Sequence, residues 1–196
     1  MGFRERFATA IEEFLKERPE FPEIFGIVKG YSRKGGKIWG VGTSYFGKGL
    51  AGKLQDKNLP LADENGVLDL DFVLEKTPLG EIKPPEGWGM YLTRWVSVRL
   101  VREGYRVDIS YLTPYVPTIN DFLNQAPLTV QALAYDFQSK KVISGYAKGS
   151  GHMGFNSYKN RIVKVNNPNA LKKITADRKV TEAEFLAQKA KALGFS

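Results

Sequence analysis

The 196-residue sequence has no cysteine, which excludes disulfides, zinc–thiolate centres and thiol nucleophiles together. Its single histidine, His152, excludes any site built on two imidazoles and counts against a Ser-His-Asp triad. No apolar run approaches the ~18–20 residues of a membrane span. The first twenty residues carry acids and lack the apolar centre of a secretion signal, which points to a cytoplasmic protein. There is no internal repeat and no low-complexity stretch. What the chain does have is an excess of positive charge, 29 Lys and Arg against 21 Asp and Glu, for a net +8 and a pI near 9.5. That excess fits a polyanionic partner such as a nucleic acid or a nucleotide. Solubility alone explains it equally well, because the basic residues are spread along the chain rather than gathered in one arm. With 42% apolar residues and 26% charged ones, this is ordinary folded material, enough for one domain with its own core.

Phe3, Phe7, Ile11, Phe14 and Leu15 recur at helical spacing, and Pro19 and Pro22 mark the end of that first helix. Residues 25–30 and 37–41 read as short strands joined by a turn over 32–36, and a helix is expected to open near Thr43 or Ser44. A polar loop over 55–65 precedes VLDLDFVLE, the clearest strand in the chain. The Pro/Gly-rich stretch 77–89 reads as a lid or a detour. WVSVRLV and RVDISYL then form a hairpin closed at Glu103-Gly104. TVQALAYDF fits helix or strand, and KKVISGY fits a short strand. The tail 169–194 is helical in two pieces, the second opening with a Thr181/Glu184 capping box. Hairpins mixed with helices, without regular βαβ alternation, indicate an α+β domain.

Period 2 puts Asp69, Asp71 and Glu75 on one face of their strand and Leu68, Leu70, Phe72 and Leu74 on the other. Adjacent carboxylates repel, and a shared proton or a divalent cation such as Mg²⁺ or Mn²⁺ relieves them. The bland alternative is a solvent-facing strand whose acids pair with Lys or Arg. Asp108 shares a face with Arg106 and Ser110. If its strand neighbours that of Asp69, three carboxyl groups should gather within about 4–7 Å, the arrangement of a two-metal site for nucleotidyl transfer. Arg99, across the hairpin, offers a plain ion pair to Asp108 instead.

Upstream, GVGTSYFGKG supplies a small-residue turn whose backbone N–H groups could cradle a triphosphate, helped by Lys48 or Lys53. Glycines also serve ordinary turns. His152, in GSGHMGF, reads as a loop residue before a catalyst. Trp39, Trp88 and Trp95 read as packing residues, with Trp88 the candidate for stacking on a base. Tyr45 and Phe46 either line a nucleotide pocket or belong to the core. Lys159, Arg161 and Lys164 make a basic edge for phosphates or a solvated strand edge.

The order of these features resembles the polymerase-β-like nucleotidyltransferases, in particular the head domain of bacterial poly(A) polymerases and class II CCA-adding tRNA nucleotidyltransferases. Gly42-Thr43 resembles the family's glycine turn, Asp69-Leu70-Asp71 its paired acids and Asp108 its third. LTVQALAYDFQSKKVIS resembles its Arg-Arg-Asp-Phe-Thr-Ile-Asn-Ala-Leu-Ala-Tyr-Asp segment, and YKNRIVKVNNPNALKKI the stretch into its neck helices; the likeness covers about residues 38–175. The chain departs from the pattern at Gln125-Ala126-Pro127, which replaces Arg-Arg-Asp, and at Gln131, which replaces Asn. A longer loop over 55–66 and the missing Arg after the glycine turn are further departures. The base-selecting Glu-Asp-x-x-Arg helix has only a poor counterpart in Asp177-Arg178.

The resemblance implies a single α+β nucleotidyltransferase-like domain with a mixed sheet. Its parts would be an N-terminal helix in 1–24, a catalytic core in 25–168 and a helical tail in 169–196 that begins the neck. It implies transfer of a nucleoside monophosphate from an NTP, ATP first, to a hydroxyl such as an RNA 3′ end. Asp69, Asp71 and Asp108 would be the Mg²⁺ or Mn²⁺ ligands. Gly42, Thr43, Ser44, Lys48, Lys53 and Gln131 would bind the nucleotide, and Lys159, Arg161 and Lys164 nucleic acid. A partner subunit or second copy would supply the missing body. The alternatives are nucleotidylation of a protein or small molecule, and a catalytically silent relative that binds RNA or a partner.

Overall fold

The computed structural model describes residues 2–77, 82–93, 97–147 and 151–195. The amphipathic stripe at the N-terminus forms helix α1, Phe3–Lys16, which buries Phe7, Ala10, Ile11 and Phe14. Residues 25–30 were expected as a strand; they belong to helix α2, Phe21–Gly30. Phe21, Ile24 and Val28 recur at a helical period and are buried, and Pro22 sits in the first turn, where its missing N–H costs nothing. Tertiary burial here outweighs the weak helix propensity of Gly26 and the β-branched residues.

Strand β1, Ile38–Val41, follows. The helix expected at Thr43 or Ser44 begins one residue earlier, as a π-helical turn over Gly42–Gly47 that runs into α3, Lys48–Gln55; neither hydroxyl caps it. The next strands are β2, Leu68–Leu74; β3, Gly89–Thr93; β4, Ser97–Arg102; and β5, Tyr105–Tyr111. β3 takes up the end of the stretch that read as a lid, of which residues 78–81 lie outside those described. After α4, Ile119–Asn124, the ambiguous TVQALAYDF divides into a 3-10 turn, Thr129–Gln131, and β6, Leu133–Asp136; β7 is Lys141–Ser144. A small ribbon of β8, Tyr146–Ala147, and β9, Gly151–His152, leads into α5, Met153–Asn160. The tail forms α6, Pro168–Arg178, and α7, Glu182–Ala192. The Thr181/Glu184 capping box is present, with Thr181 N–H donating to Glu184 Oε2 at 2.7 Å.

Seven of the described strands form one mixed sheet in the order β3-β4-β5-β2-β1-β6-β7. Only the β2–β5 pairing is parallel, because the chain crosses to the sheet edge at β3 and returns as a meander. One sheet face is apolar: Leu70, Phe72, Leu74, Val107 and Ile109 pack with Ile24, Val28 and Phe46. A second core joins α1, α3, β6 and β7 to α5, α6 and α7 through Phe7, Leu50, Phe155, Leu171 and Phe185. The opposite face carries Trp39, Val41 and Val73 under α4, through Ile119 and Leu123. Beyond α4 that face is polar, and there the acids lie. No described helix is long and apolar enough to cross a membrane.

Candidate functional site

The parallel register sets Asp71 beside Asp108 and Asp69 beside Arg106. Each of the three acids offers one carboxylate oxygen, and these oxygens all lie within 4.8 Å of one another. The convergence expected from the strand faces is therefore present, and so is the rival ion pair. Arg99 Nε and a terminal nitrogen donate to the two oxygens of Asp108, both at 2.7 Å, and Arg106 Nε donates to Asp69 Oδ1 at 2.8 Å. The paired side chains are only partly exposed, 18% for Asp69 and 23% for Asp108. The Asp71 side chain has neither a hydrogen bond nor an ion pair among the described residues. Burial above all, then the nearby Asp69 and Asp108, push its carboxyl up to about 8, with Lys189 and Arg106 opposing.

Gly42 seats this acid. Its φ is +84°, and a Cβ there would come within 2.2 Å of Asp71 Oδ2. A side chain at this position is excluded twice, by backbone conformation and by contact. A cavity of about 320 Å³ opens over Asp71 and Asp108, walled by Gly42, Ser110, Gln125 and Gln131. The Gln131 Oε1 is buried there without a hydrogen-bond partner. The segment 125–127, which stands where the resembling family has Arg-Arg-Asp, lines the same cavity and brings no charge to it.

Beside Arg99, whose pairing with Asp108 the hairpin register predicted, two basic residues near the acids were not singled out from the sequence as part of this site: Arg106 as a second clamp, and Lys189 on α7. Burial holds the Lys189 ammonium below lysine's ordinary value, aided by Arg178 and Lys48, while Asp71 and Asp69 pull it back up. Both Arg178 and Lys189 lie 5.5 Å from the Phe185 ring, which anchors α7 in the core. The sequence signal for Arg106 was its shared face with Asp108. For Lys189 it was its place one helical turn after Phe185.

The other described candidates do not line this cavity. Thr43 is buried and Ser44 partly so, both in the π turn beside Gly42. Lys48 Nζ donates to the carbonyls of Leu61 and Ala62, and Lys53 Nζ to Glu17. Tyr45 and Phe46 are core residues; the Tyr45 hydroxyl donates to Glu20 Oε1 at 2.9 Å, and Phe46 packs on Phe72. Trp88 is only 6% exposed beneath the Arg102 guanidinium, so no base can stack on it. Trp39 is buried, and Trp95 lies outside the described residues. His152 accepts from Arg4 and sits between the Tyr146 and Phe155 rings, outside the acid cavity. The basic edge is divided: Lys159 and Arg161 flank a hollow with Phe3 and Arg6, while Lys164 lines another with Asn156.

No family model matches the sequence, and no curated protein matches it. The structure is similar to a CCA-adding enzyme solved in complex with ATP, with a TM-score of 0.56 and 16% identity over 85% of this chain and 38% of that one. It is similar to a CCA-adding enzyme in complex with CTP, with a TM-score of 0.53 and 18% identity over 85% and 38%. An apo tRNA-processing enzyme gives 0.50 and 15% identity over 91% and 48%. The chain thus spans less than half the length of these structures. Identities this low speak for shared architecture alone. With its mixed seven-stranded sheet and flanking helices, the chain has the nucleotidyltransferase-like fold that the sequence resemblance implied.

Proposed function

We propose that the chain is a metal-dependent nucleotidyltransferase domain that moves a nucleoside monophosphate from an NTP, ATP first among them, to a hydroxyl at an RNA 3′ end, releasing pyrophosphate. The observation that carries this reading is the meeting of Asp69, Asp71 and Asp108 within 4.8 Å, at a cavity whose glycine cannot be replaced without striking Asp71. The donor set, three carboxylates and no nitrogen or sulfur, fits Mg²⁺ or Mn²⁺. Asp71, unpartnered and held largely protonated by burial and then by its acidic neighbours, is the acid with most to gain from a cation. When bound, such an ion neutralises phosphate charge and lowers the pKa of an attacking hydroxyl.

The chain's own residues supply the rest. Asp69 and Asp71 would hold the ions on the triphosphate side, and Asp108 would ligate on the acceptor side and take up the hydroxyl proton. The backbone N–H groups of Gly42, Thr43 and Ser44, opening 14 continuous helical residues, would face the phosphates. The free Gln131 amide oxygen would accept from a ribose hydroxyl. Lys189, whose charge is felt by Asp71 and Asp69, would offset phosphate charge in place of the absent arginines. In this reading residues 25–168 form the catalytic core, and Lys159, Arg161 and Lys164 hold RNA through its phosphates.

One observation favours a second reading. Arg99 and Arg106 already neutralise two of the three acids, as in a silent relative that binds RNA or a partner without chemistry. Incubation with each labelled NTP, Mn²⁺ and a short RNA or cell extract separates the readings. Label on RNA supports the proposal, and label on a protein band moves the acceptor to protein. No label in any reaction, with the fold intact, leaves the silent binder.

A further inference from the structure

A second cavity, of about 370 Å³, shares no lining residue with the acid cavity; it opens between the end of α1, α3 and the loop 56–61. Arg18, Lys48, Lys53 and Lys57 line it against one acid, Asp56. Glu17 accepts from Lys53, and Asp63 and Asp69 lie within electrostatic reach of Lys48, so Arg18 and Lys57 are the lining cations that have no ion pair among the described residues. The Arg18 guanidinium lies 4.9 Å over the Phe14 ring, and its buried Nε has no hydrogen-bond partner. Lys57 is exposed and forms no ion pair among the described residues. Its backbone rests on α3 at Gly52, where a Cβ would come within 2.7 Å of the Lys57 carbonyl oxygen. Phe14, Leu59 and Leu61 contribute apolar surface to the walls. A hollow of this size lies within the range of roughly 300–1,000 Å³ that small-ligand sites occupy.

Like charges gathered around an unpartnered guanidinium donor repel one another until an anion joins them. The fork of Arg18 and the point charges of the lysines suit phosphate oxygens. We propose that this cavity is a phosphate-binding site, which takes a phosphodiester of a nucleic-acid strand or the phosphates of free pyrophosphate or a nucleotide. It needs no metal and does not rest on the nucleotidyltransferase reading. Lys48, which lines this cavity, lies within electrostatic reach of Asp63 and then of Asp69.

The test uses the full chain in EDTA, with inorganic pyrophosphate and a single-stranded hexaribonucleotide as separate probes. Affinity is measured for the wild type, Arg18→Gln, Lys57→Glu and Asp71→Asn, and amide shifts locate the bound probe. Arg18→Gln and Lys57→Glu should each weaken binding roughly tenfold, the loss of one charge-assisted hydrogen bond, and Lys57→Glu should lower the salt slope by about one unit or more. Asp71→Asn should leave affinity unchanged, and the Gly49 and Gly52 amides should shift. Binding of the hexanucleotide alone identifies a strand as the ligand, and binding of pyrophosphate alone a free phosphate. Mutual displacement identifies one site for both. Lys57 is exposed, so its variant keeps the test decisive if Arg18→Gln unfolds. Affinity unaltered by Lys57→Glu, or amide shifts at Gly42 in place of Gly49 and Gly52, overturns the proposal.

Discussion

Replacing Arg99 with Gln separates a clamp on the acids from a permanent structural pair. The guanidinium makes two 2.7 Å bonds to Asp108, but its side chain is 42% exposed. Solvent screening at that exposure limits such a pair to about 0.5–1 kcal/mol. The fold should therefore lose no more than about 1 kcal/mol, a fall of a few degrees in Tm. The same free energy currently opposes any cation that must take Asp108 from Arg99. Its release should strengthen Mn²⁺ binding by about two- to fivefold, since ~1.4 kcal/mol corresponds to tenfold. Added negative charge at the cluster acts in the same direction. Titration of Mn²⁺ by electron paramagnetic resonance, wild type against Arg99→Gln, reads this directly. Unchanged or weaker Mn²⁺ binding would refute the reasoning, because Arg99 would then be part of the site's architecture and no competitor for its acids.

Three further perturbations follow from the same geometry. The folded-state Asp71 carboxyl is raised to about 8 from an ordinary 3.8, so the stability it contributes is full below about pH 4 and is lost as pH rises through 8. Metal-free wild type should melt at lower temperature at pH 8.5 than at pH 5.5, and Asp71→Asn should flatten that difference in a thermal scan. Gly42→Ala should cost about 1–3 kcal/mol by forcing a side chain to φ +84° and against Asp71, measured by denaturant unfolding, with Mn²⁺ binding lost in step. Gln131→Leu removes an unpartnered buried amide oxygen, so it should raise stability by up to about 1–3 kcal/mol while weakening ATP binding, a trade that calorimetry of both quantities would detect.

Much of the site was legible because it depends on local period. Asp69 and Asp71 alternate with Leu70 and Phe72, and Asp108 alternates with Val107 and Ile109, so each acid's face followed from its strand. The Thr181/Glu184 cap and the Glu103-Gly104 hairpin were local as well. What sequence could not carry was adjacency. That Arg106 would reach Asp69 requires β5 to return parallel to β2, a consequence of the excursion through β3 at the sheet edge. That Lys189 would come within electrostatic range of the acids requires α7 to dock through Phe185. The helix over residues 21–30 escaped because Gly, Ile and Val look strand-like until the burial of Ile24 and Val28 is known. Trp88 looked available for stacking because its cover, Arg102, comes from β4, fourteen residues further along the chain.

The central claim is that Asp69, Asp71 and Asp108 are the metal site of a nucleotide-handling enzyme. A crystal grown with Mn²⁺ and a non-hydrolysable ATP analogue, measured for anomalous scattering, tests it most directly. The prediction is a Mn²⁺ peak bound by oxygens of all three acids, the phosphates at Gly42–Ser44, and Arg99 moved off Asp108. A map with no peak among the acids, and Arg99 and Arg106 still seated on Asp108 and Asp69, would contradict it.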